Sequence, residues 1–414
     1  MEQALVGLAF GLIGVAAALG LAAGEPKASP PEKLPVAGEM PILAWVGVDP
    51  AHTTAERFRE LAEAGFNQNL SFYADADAMA KALDIARQAG VKMHVCYTDL
   101  LNDPSGAAKR FKDHPAVAAW HLKDEPSAAD FARLSKAVEQ FEAADRNPDH
   151  FCYLNLFPNY ASPMTHEGAA SQLGTASYQE HLDRFIKEVP VKVLSFDHYP
   201  ITGQGLRPLW YQNLEAIAKA AAEKRIPFWA FALSISHGPY PVPTLAHLRL
   251  QVYSDLAYGA QGIQYFTYWA PPDWKGQCPI TADGRKSPVY DLVKQMNREI
   301  RGQNGVFVGS RVVALGHTGK IPQGTRPYAA AAPITAVKTE GDGAVVSLLA
   351  RDKRRFLVIV NRDYAKPMPL EVTWQPGAAL ASVRKDGTLE PIAAQKRLTV
   401  VDPGDVEILA WIEE

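Results

Sequence analysis

The sequence predicts an α/β fold, a (β/α)8 barrel followed by a small all-β sandwich. Three observations predict it. Between residues 40 and 302, eight short apolar runs alternate with Ala-, Leu- and charge-rich stretches of helical spacing. After residue 305 the helical spacing stops, and strand-like segments joined by Gly-, Asp- and Pro-containing turns take over. The barrel runs also end on polar or aromatic residues, and barrels of this kind carry their chemistry at the C-terminal ends of their strands.

The predicted strands read "PILAWVGVD" (41–49), "FNQNLSFY" (66–73), "VKMHVCYT" (91–98), "AVAAWHLKDE" (116–125), "HFCYLNLF" (150–157), "VKVLSFDHY" (191–199), "PFWAFALS" (227–234) and "GIQYFTYW" (262–269). Stretches such as "TAERFRELAEAG" and "AADFARLSKAVEQFEAA" separate them, several starting after Asp, Ser or Thr or ending at Gly as helix capping requires. A doubly wound sheet is the alternative. It would need G-x-G-x-x-G after the first strand, where "WVGVDPAHTT" stands instead. The expected organisation is an apolar N-terminal segment (1–24), a Pro-rich linker (25–39), the barrel (40–304) and the β-sandwich (305–414).

Composition narrows the function. The chain has 414 residues, 21% charged, with a net charge of −3 and no Lys/Arg block that would act as a phosphate-binding stripe, which argues against a nucleic-acid partner. "ALVGLAFGLIGVAAALGLAAG" (4–24) resembles a secretory signal peptide, and is also long enough to anchor the protein in a membrane uncleaved. The expectation is therefore an exported, periplasmic or extracellular protein. Cys96, Cys152 and Cys278 form no C-x-x-C pair, and three cysteines cannot pair fully. No metal site is predicted: His94, His121, His198 and His237 fall on or near separate strands, without H-x-H or H-E-x-x-H. No cofactor and no protein partner is predicted.

The strand ends carry the candidate site. Trp45, Asp49, Asn69, Tyr73, Asp124, Glu125, Asn155, Asp197, His198, Tyr199, His237, Tyr268, Trp269 and Trp274 stand on them or just beyond. Alternation puts Ser195, Asp197 and Tyr199 on one face of the sixth strand, opposite Leu194 and Phe196. It likewise groups Asn67, Asn69, Ser71 and Tyr73 on the second. Both polar faces are expected to look into the barrel. The fourth run is the most informative, because "AVAAWHL" leads straight into "KDEP". Pro126 ends the ladder, leaving Asp124 and Glu125 at the barrel mouth. Asp124 would also suit a helix cap before Ser127. Glycoside hydrolysis uses two carboxyl groups, one of them protonated at neutral pH, and a Glu among apolar rings can have its pKa raised for that role. Aromatic rings beside carboxylates also suit pyranose C–H faces and hydroxyls.

"WHLKDEP" resembles the Asn-Glu-Pro or Asp-Glu-Pro signature of clan A glycoside hydrolases, whose acid/base Glu ends the fourth strand. "FDHYP" is similar to the clan's sixth-strand motif. "YWAPPDW" resembles its eighth-strand Trp platform, and "TADGRKSPVYDLVKQMNREI" the last barrel helix of β-galactosidase-like members. The resemblance spans the barrel on short motifs. It implies Glu125 as acid/base, with Asp197, His198, Tyr199 and Trp269 lining the site.

One departure stands out. The clan's nucleophile is a Glu ending the seventh strand, which here reads "PFWAFALSISHG" without a carboxylate. The second carboxylate is then Asp197, the favoured choice for its polar strand face, or Asp49, Asp99 or Asp124. A protein that binds sugar without cleaving it is the other reading. The expectation is a glycoside hydrolase acting on a neutral oligo- or polysaccharide, since no Arg or Lys cluster stands at the strand ends.

Overall fold

The computed structural model describes residues 32–36, 38–164 and 171–413. The predicted signal peptide or anchor, and the linker up to residue 31, lie outside the described residues. Eight parallel strands close into a barrel: β1 (Ile42–Trp45), β2 (Gln68–Leu70), β3 (Lys92–Val95), β4 (Val117–Asp124), β5 (Phe151–Leu156), β6 (Leu194–Phe196), β7 (Phe228–Leu233) and β8 (Ile263–Phe266). Each pairs with its neighbour in sequence, and β1 pairs with β8 to complete the ring. Every one falls inside a predicted run.

Residues of alternate parity fill two cores. Leu43, Trp45, Leu70, Ala119, Tyr153, Trp229 and Phe231 cluster inside the barrel. Their neighbours Ile42, Ala44, Trp120, Leu154, Leu156, Leu194, Phe196 and Ala230 pack outward against the helices. Those helices are α1 (Ala55–Glu63), α2 (Ala76–Gln88), α3 (Pro104–Phe111), α4 (Phe131–Ala144), α5 (Tyr178–Glu188), α6 (Trp210–Lys224), α7 (Leu245–Ala257) and α8 (Pro288–Gly302). Thr54, Asp75, Ser177, Thr244 and Ser287 cap five of them through side-chain oxygens. At the end of α1, Gly65 takes φ +89°, and a Cβ there would stand 2.6 Å from the Cβ of Asn297. The lack of a side chain lets α8 approach closely enough for Asn297 Nδ2 to donate to the Ala64 carbonyl at 2.9 Å, which closes the helix ring.

β2 corrects one expectation. Its Asn and Ser side chains do not look into the barrel. Asn69 Oδ1 accepts the Val48 amide at 2.8 Å, and Ser71 Oγ donates to the Val48 carbonyl at 2.8 Å. Asn67 binds the Ile42 amide and the Met40 carbonyl. These groups satisfy backbone around β1, while Leu70 faces the interior beside Trp45.

Beyond α8 the chain builds two antiparallel sheets. The larger orders β9 (Arg311–His317), β11 (Ala344–Arg351), β12 (Arg354–Asn361), β17 (Val406–Ile412), β14 (Ala381–Val383) and β15 (Leu389–Pro391). The smaller orders β10 (Ile334–Thr339), β13 (Met368–Trp374) and β16 (Lys396–Val401). Leu357, Ile359 and Leu409 join Met368, Leu370, Val372 and Trp374 between the two sheets. Phe356, Val358, Val360, Ile408 and Ala410 turn the other way, into the barrel's outer core. The central strands of the larger sheet, β11, β12 and β17, are thus buried on both faces. α7, packed between β7 and this sheet, accordingly has buried residues around most of its circumference, from Leu248 to Ala257. The predicted linker also joins this region, for Lys33 bridges Thr388 and Leu34 is buried.

A charged cluster bridges the two parts. Arg249 on α7 holds Glu299 on α8 at 2.6 Å and Asp405 before β17 at 2.9 Å. Lys385 reaches Glu299 at 3.4 Å and contacts Asp405, and the Glu299 side chain is only 5% exposed. Removing Glu299 leaves the largely buried Arg249 and its neighbour Lys385 to share the single carboxylate of Asp405. Glu299→Leu should lower the unfolding free energy by about 3 kcal/mol, read from urea denaturation. A change indistinguishable from zero would show that the cluster holds nothing together.

Candidate active site

The mouth of the barrel, at the C-terminal strand ends, holds a pocket of about 190 Å³ lined by Trp45, Asp124, Glu125, Asn155, Asp197, Tyr199, Phe231, His237, Phe266 and Trp274. β4 delivers two adjacent carboxylates, which a regular strand would send to opposite faces. An irregularity resolves the conflict. The register against β5 shifts between His121 and Lys123, so Leu122 packs outward and Lys123 also stays outside, bonding Asp130 at 2.7 Å. Asp124 then turns in toward β5. Glu125 follows at φ +46°, a left-handed conformation that costs a non-glycine residue about 1 kcal/mol or more. Its amide donates to the Asn155 carbonyl at 2.8 Å, so the strained residue is tied to β5.

Asn155 organises the carboxylates. Its Nδ2 donates to Asp124 Oδ1 at 3.1 Å and to Asp197 Oδ1 at 2.9 Å. Those two oxygens therefore lie within two hydrogen-bond lengths of each other. Among the described residues no donor reaches the Glu125 carboxyl, and no Lys or Arg lines the pocket. Asp124 opens to solvent at the rim, yet protein crowds its carboxyl enough to push the pKa up to about 6. Burial and the neighbouring Asp124 raise Glu125 to about 7. Asp197 lies deeper, and burial with the charges of Glu125 and Asp124 holds it well above the usual carboxylate range, against the Asn155 bond.

Aromatic rings form the walls. Trp45 touches Phe231, Phe266 and His121 edgewise or at a tilt, with centroids 5.8–6.2 Å apart. Tyr199 stacks on Phe266 at 5.7 Å. Trp274, about one-third exposed, leans on His237 at 4.7 Å and offers its ring at the rim.

Eight predicted site residues thus meet in one pocket: Trp45, Asp124, Glu125, Asn155, Asp197, Tyr199, His237 and Trp274. Six stand elsewhere. Asp49 caps a short turn, accepting from Ala51 N at 2.8 Å. Asn69 serves the β1 backbone as described. Tyr73 is buried, with its hydroxyl 3.4 Å from Thr53 Oγ1. His198 faces α6 and pairs with Asn213 at 3.0 Å, and burial pushes it down to about 4. Tyr268 packs on Phe66 in the helix-facing core. Trp269 is 1% exposed, stacked under His52 at 5.0 Å with Arg57 above its ring at 5.2 Å, so it offers no platform. The chain leaves β8 by pairing Trp269 N with the Val46 carbonyl at 3.0 Å, which turns the indole to the helix side.

Phe231 and Phe266 line the pocket and were not predicted. Alternation from the interior Trp229 carries a signal for Phe231, two residues on. Asp99 and Asp49 do not line this pocket, and among the described residues no metal-holding cluster of His, Cys, Asp or Glu is present. A larger cleft of about 790 Å³ lies between α6 and β9, near the start of β7. Glu215 is its only carboxylate, and it is remote from the strand ends where barrels place their chemistry.

No protein-family model matches the chain, and no curated protein matches it in sequence. Solved structures match its fold. A protein of Bacteroides fragilis, provisionally named an α-galactosidase/melibiase, aligns with a TM-score of 0.51 at 12% identity, over 90% of this chain and 79% of its own. An Anoxybacillus α-amylase aligns at 0.50 and 11% identity, over 91% of this chain and 98% of its own. The β-galactosidase of a psychrophilic Marinomonas aligns at 0.48 and 11% identity over 65% of this chain, which spans 61% of that longer protein. The first two alignments show a shared fold.

The raised carboxyls give stability a pH dependence. Unfolded, Asp and Glu titrate near 3.8 and 4.5, whereas Asp124 and Glu125 titrate near 6 and 7 in the fold. Between those limits the folded protein binds more protons, so stability is greatest at the acid end and falls as pH rises through the folded values. Glu125→Gln removes one of these groups. From about pH 5 to about pH 8 the variant's Tm should fall less than that of the wild type. Parallel Tm curves would show that Glu125 titrates as an ordinary surface carboxylate.

Proposed function

We propose that this protein is a glycoside hydrolase acting on a neutral oligo- or polysaccharide, with Glu125 as general acid and Asp197 as its partner carboxylate. One observation carries the reading: three carboxyl groups with raised pKa values share a small aromatic pocket at the mouth of the barrel. The two groups given roles differ in their hydrogen bonding. Asp197 accepts a hydrogen bond from Asn155, which favours its ionised form, whereas Glu125 has no such donor among the described residues. The proposed scheme places the acid's proton on Glu125, the less enclosed of the two, while burial holds the Asp197 pKa high as well.

In this scheme the Glu125 proton passes to the glycosidic oxygen as the C1–O bond breaks and positive charge develops on the sugar ring. Asp197 takes a proton from a water that attacks C1, and the two carboxyls exchange protonation states at product release. The walls of Trp45, Tyr199, Phe266 and Trp274 suit the C–H faces of a pyranose, and the lack of a lining cation suits an uncharged ring. At about 190 Å³ the pocket is small beside the roughly 300–1,000 Å³ of drug-sized ligand sites, which fits one ring. The apolar N-terminal run supports export to a compartment where such glycans are met.

Sugar binding without cleavage is a second reading. It is favoured by one feature, that the seventh strand and its loop bring Phe231 and His237 to the pocket and no carboxylate.

Hydrolysis of aryl glycosides and natural oligosaccharides separates the two. Glu125→Gln should lower kcat/KM on natural oligosaccharides about 10²–10⁴-fold, and much less on aryl glycosides whose leaving groups need no proton. Asp197→Asn should impair both substrate types alike. Sugar binding by a wild type that hydrolyses nothing in the panel would establish the second reading.

A further inference from the structure

Beneath the carboxylates a chain of hydrogen bonds runs across the barrel interior. The Tyr153 hydroxyl donates to Gln264 Oε1. Gln264 Nε2 donates to Ser195 Oγ at 2.8 Å, and Ser195 Oγ donates to Asn155 Oδ1 at 2.9 Å. Asn155 Nδ2 then spends both its protons on Asp124 and Asp197. Tyr153, Ser195 and Gln264 are each at most 1% exposed, and Asn155 is 2% exposed, so solvent does not compete for these bonds.

The chain has a direction. A serine hydroxyl has one proton, and with Gln264 donating to its oxygen, that proton goes to Asn155 Oδ1. An amide whose oxygen is taken in this way presents only its NH2 group to the pocket. Reversing the chain would put Asn155 Oδ1 against Asp124 and Asp197, which only protonated carboxyls could face. It would also leave the Tyr153 proton with Ser195 Oγ at 3.2 Å as the nearest acceptor.

We propose that Ser195, Gln264 and Tyr153 are positioning residues that lock the Asn155 amide with its NH2 toward Asp124 and Asp197, and thereby set the ionisation of that carboxylate pair from below the pocket. None of the three lines the pocket. The inference concerns protonation in the free protein, so its test needs no substrate and stands apart from the proposed hydrolysis.

The experiment is a pH titration of carboxyl ¹³C signals in the full chain labelled at Asp and Glu side chains, with the pocket signals assigned from Asp124→Asn and Asp197→Asn. Ser195→Ala frees the amide to rotate, and the Asp197 midpoint should rise by about one pH unit, the worth of one hydrogen bond of ordinary strength. Ser195→Thr keeps the hydroxyl and should restore the wild-type midpoint, which a merely structural role would not require. Tyr153→Phe, with the ring retained, should shift the midpoint in the same direction by less, and serves in place of Ser195→Ala should that variant not fold. Unchanged midpoints in folded Ser195→Ala or Tyr153→Phe would overturn the proposal, as would a Thr variant that fails to restore them.

Discussion

Two carboxylates that share one amide cannot be independent of each other. Asn155 Nδ2 donates to both Asp124 and Asp197, and this pair of bonds fixes the distance between groups that would otherwise repel. Taking even one carboxylate out of water costs several kcal/mol unless it is compensated. Here the compensation is an uncharged amide, with Glu125 close by and no cation in the lining. The cluster cannot ionise fully near neutrality, so it holds a proton at the pH where a general acid must keep one. The ionisation, the pH dependence of folding and the proposed chemistry all follow from that constraint.

The fold supplies what the constraint needs. The irregularity in β4 and the left-handed Glu125 bring two successive carboxylates to one cavity, a local strain offset by regular packing elsewhere. β5 holds the strained end through the Asn155 carbonyl, so a single residue grips Glu125 by its backbone and Asp124 and Asp197 by its side chain. Outside the ring, α7 is clamped between β7 and the larger sheet, and the Arg249–Glu299–Lys385–Asp405 cluster joins that sheet to α7 and α8. The mouth is thereby held by packed elements, as the proposed acid–base pair requires.

Much of this was legible in the chain. Apolar runs of regular spacing announce the eight strands, and polar strand ends announce the mouth, because burial and alternation leave their mark residue by residue. Ser195, Asp197 and Tyr199 behave as alternation predicts. The second strand keeps the predicted alternation but turns the other face inward: Asn67, Asn69 and Ser71 are drawn to the backbone around β1, and Leu70 faces the interior. Trp269 keeps the parity of Ile263 and Tyr265, which face the helices, so its indole lies on the helix side while Phe266 takes the pocket wall; Tyr268, beyond the end of β8, is the residue that departs from the alternation. The register shift in β4 leaves no sequence signal of its own. Nor does the order of bonds from Tyr153 to Asn155, which joins four residues from three strands.

On the proposed function, the pocket is built for positive charge developing on a sugar ring. Calorimetric binding of a single-ring iminosugar, protonated on its ring nitrogen, tests this directly against the neutral sugar of the same configuration. The cation should bind at least about 10²-fold more tightly, as transition-state mimics do, and the advantage should disappear when Glu125 and Asp197 are both replaced by their amides. Equal affinity for the cation and the neutral sugar, unchanged by that double replacement, would contradict it.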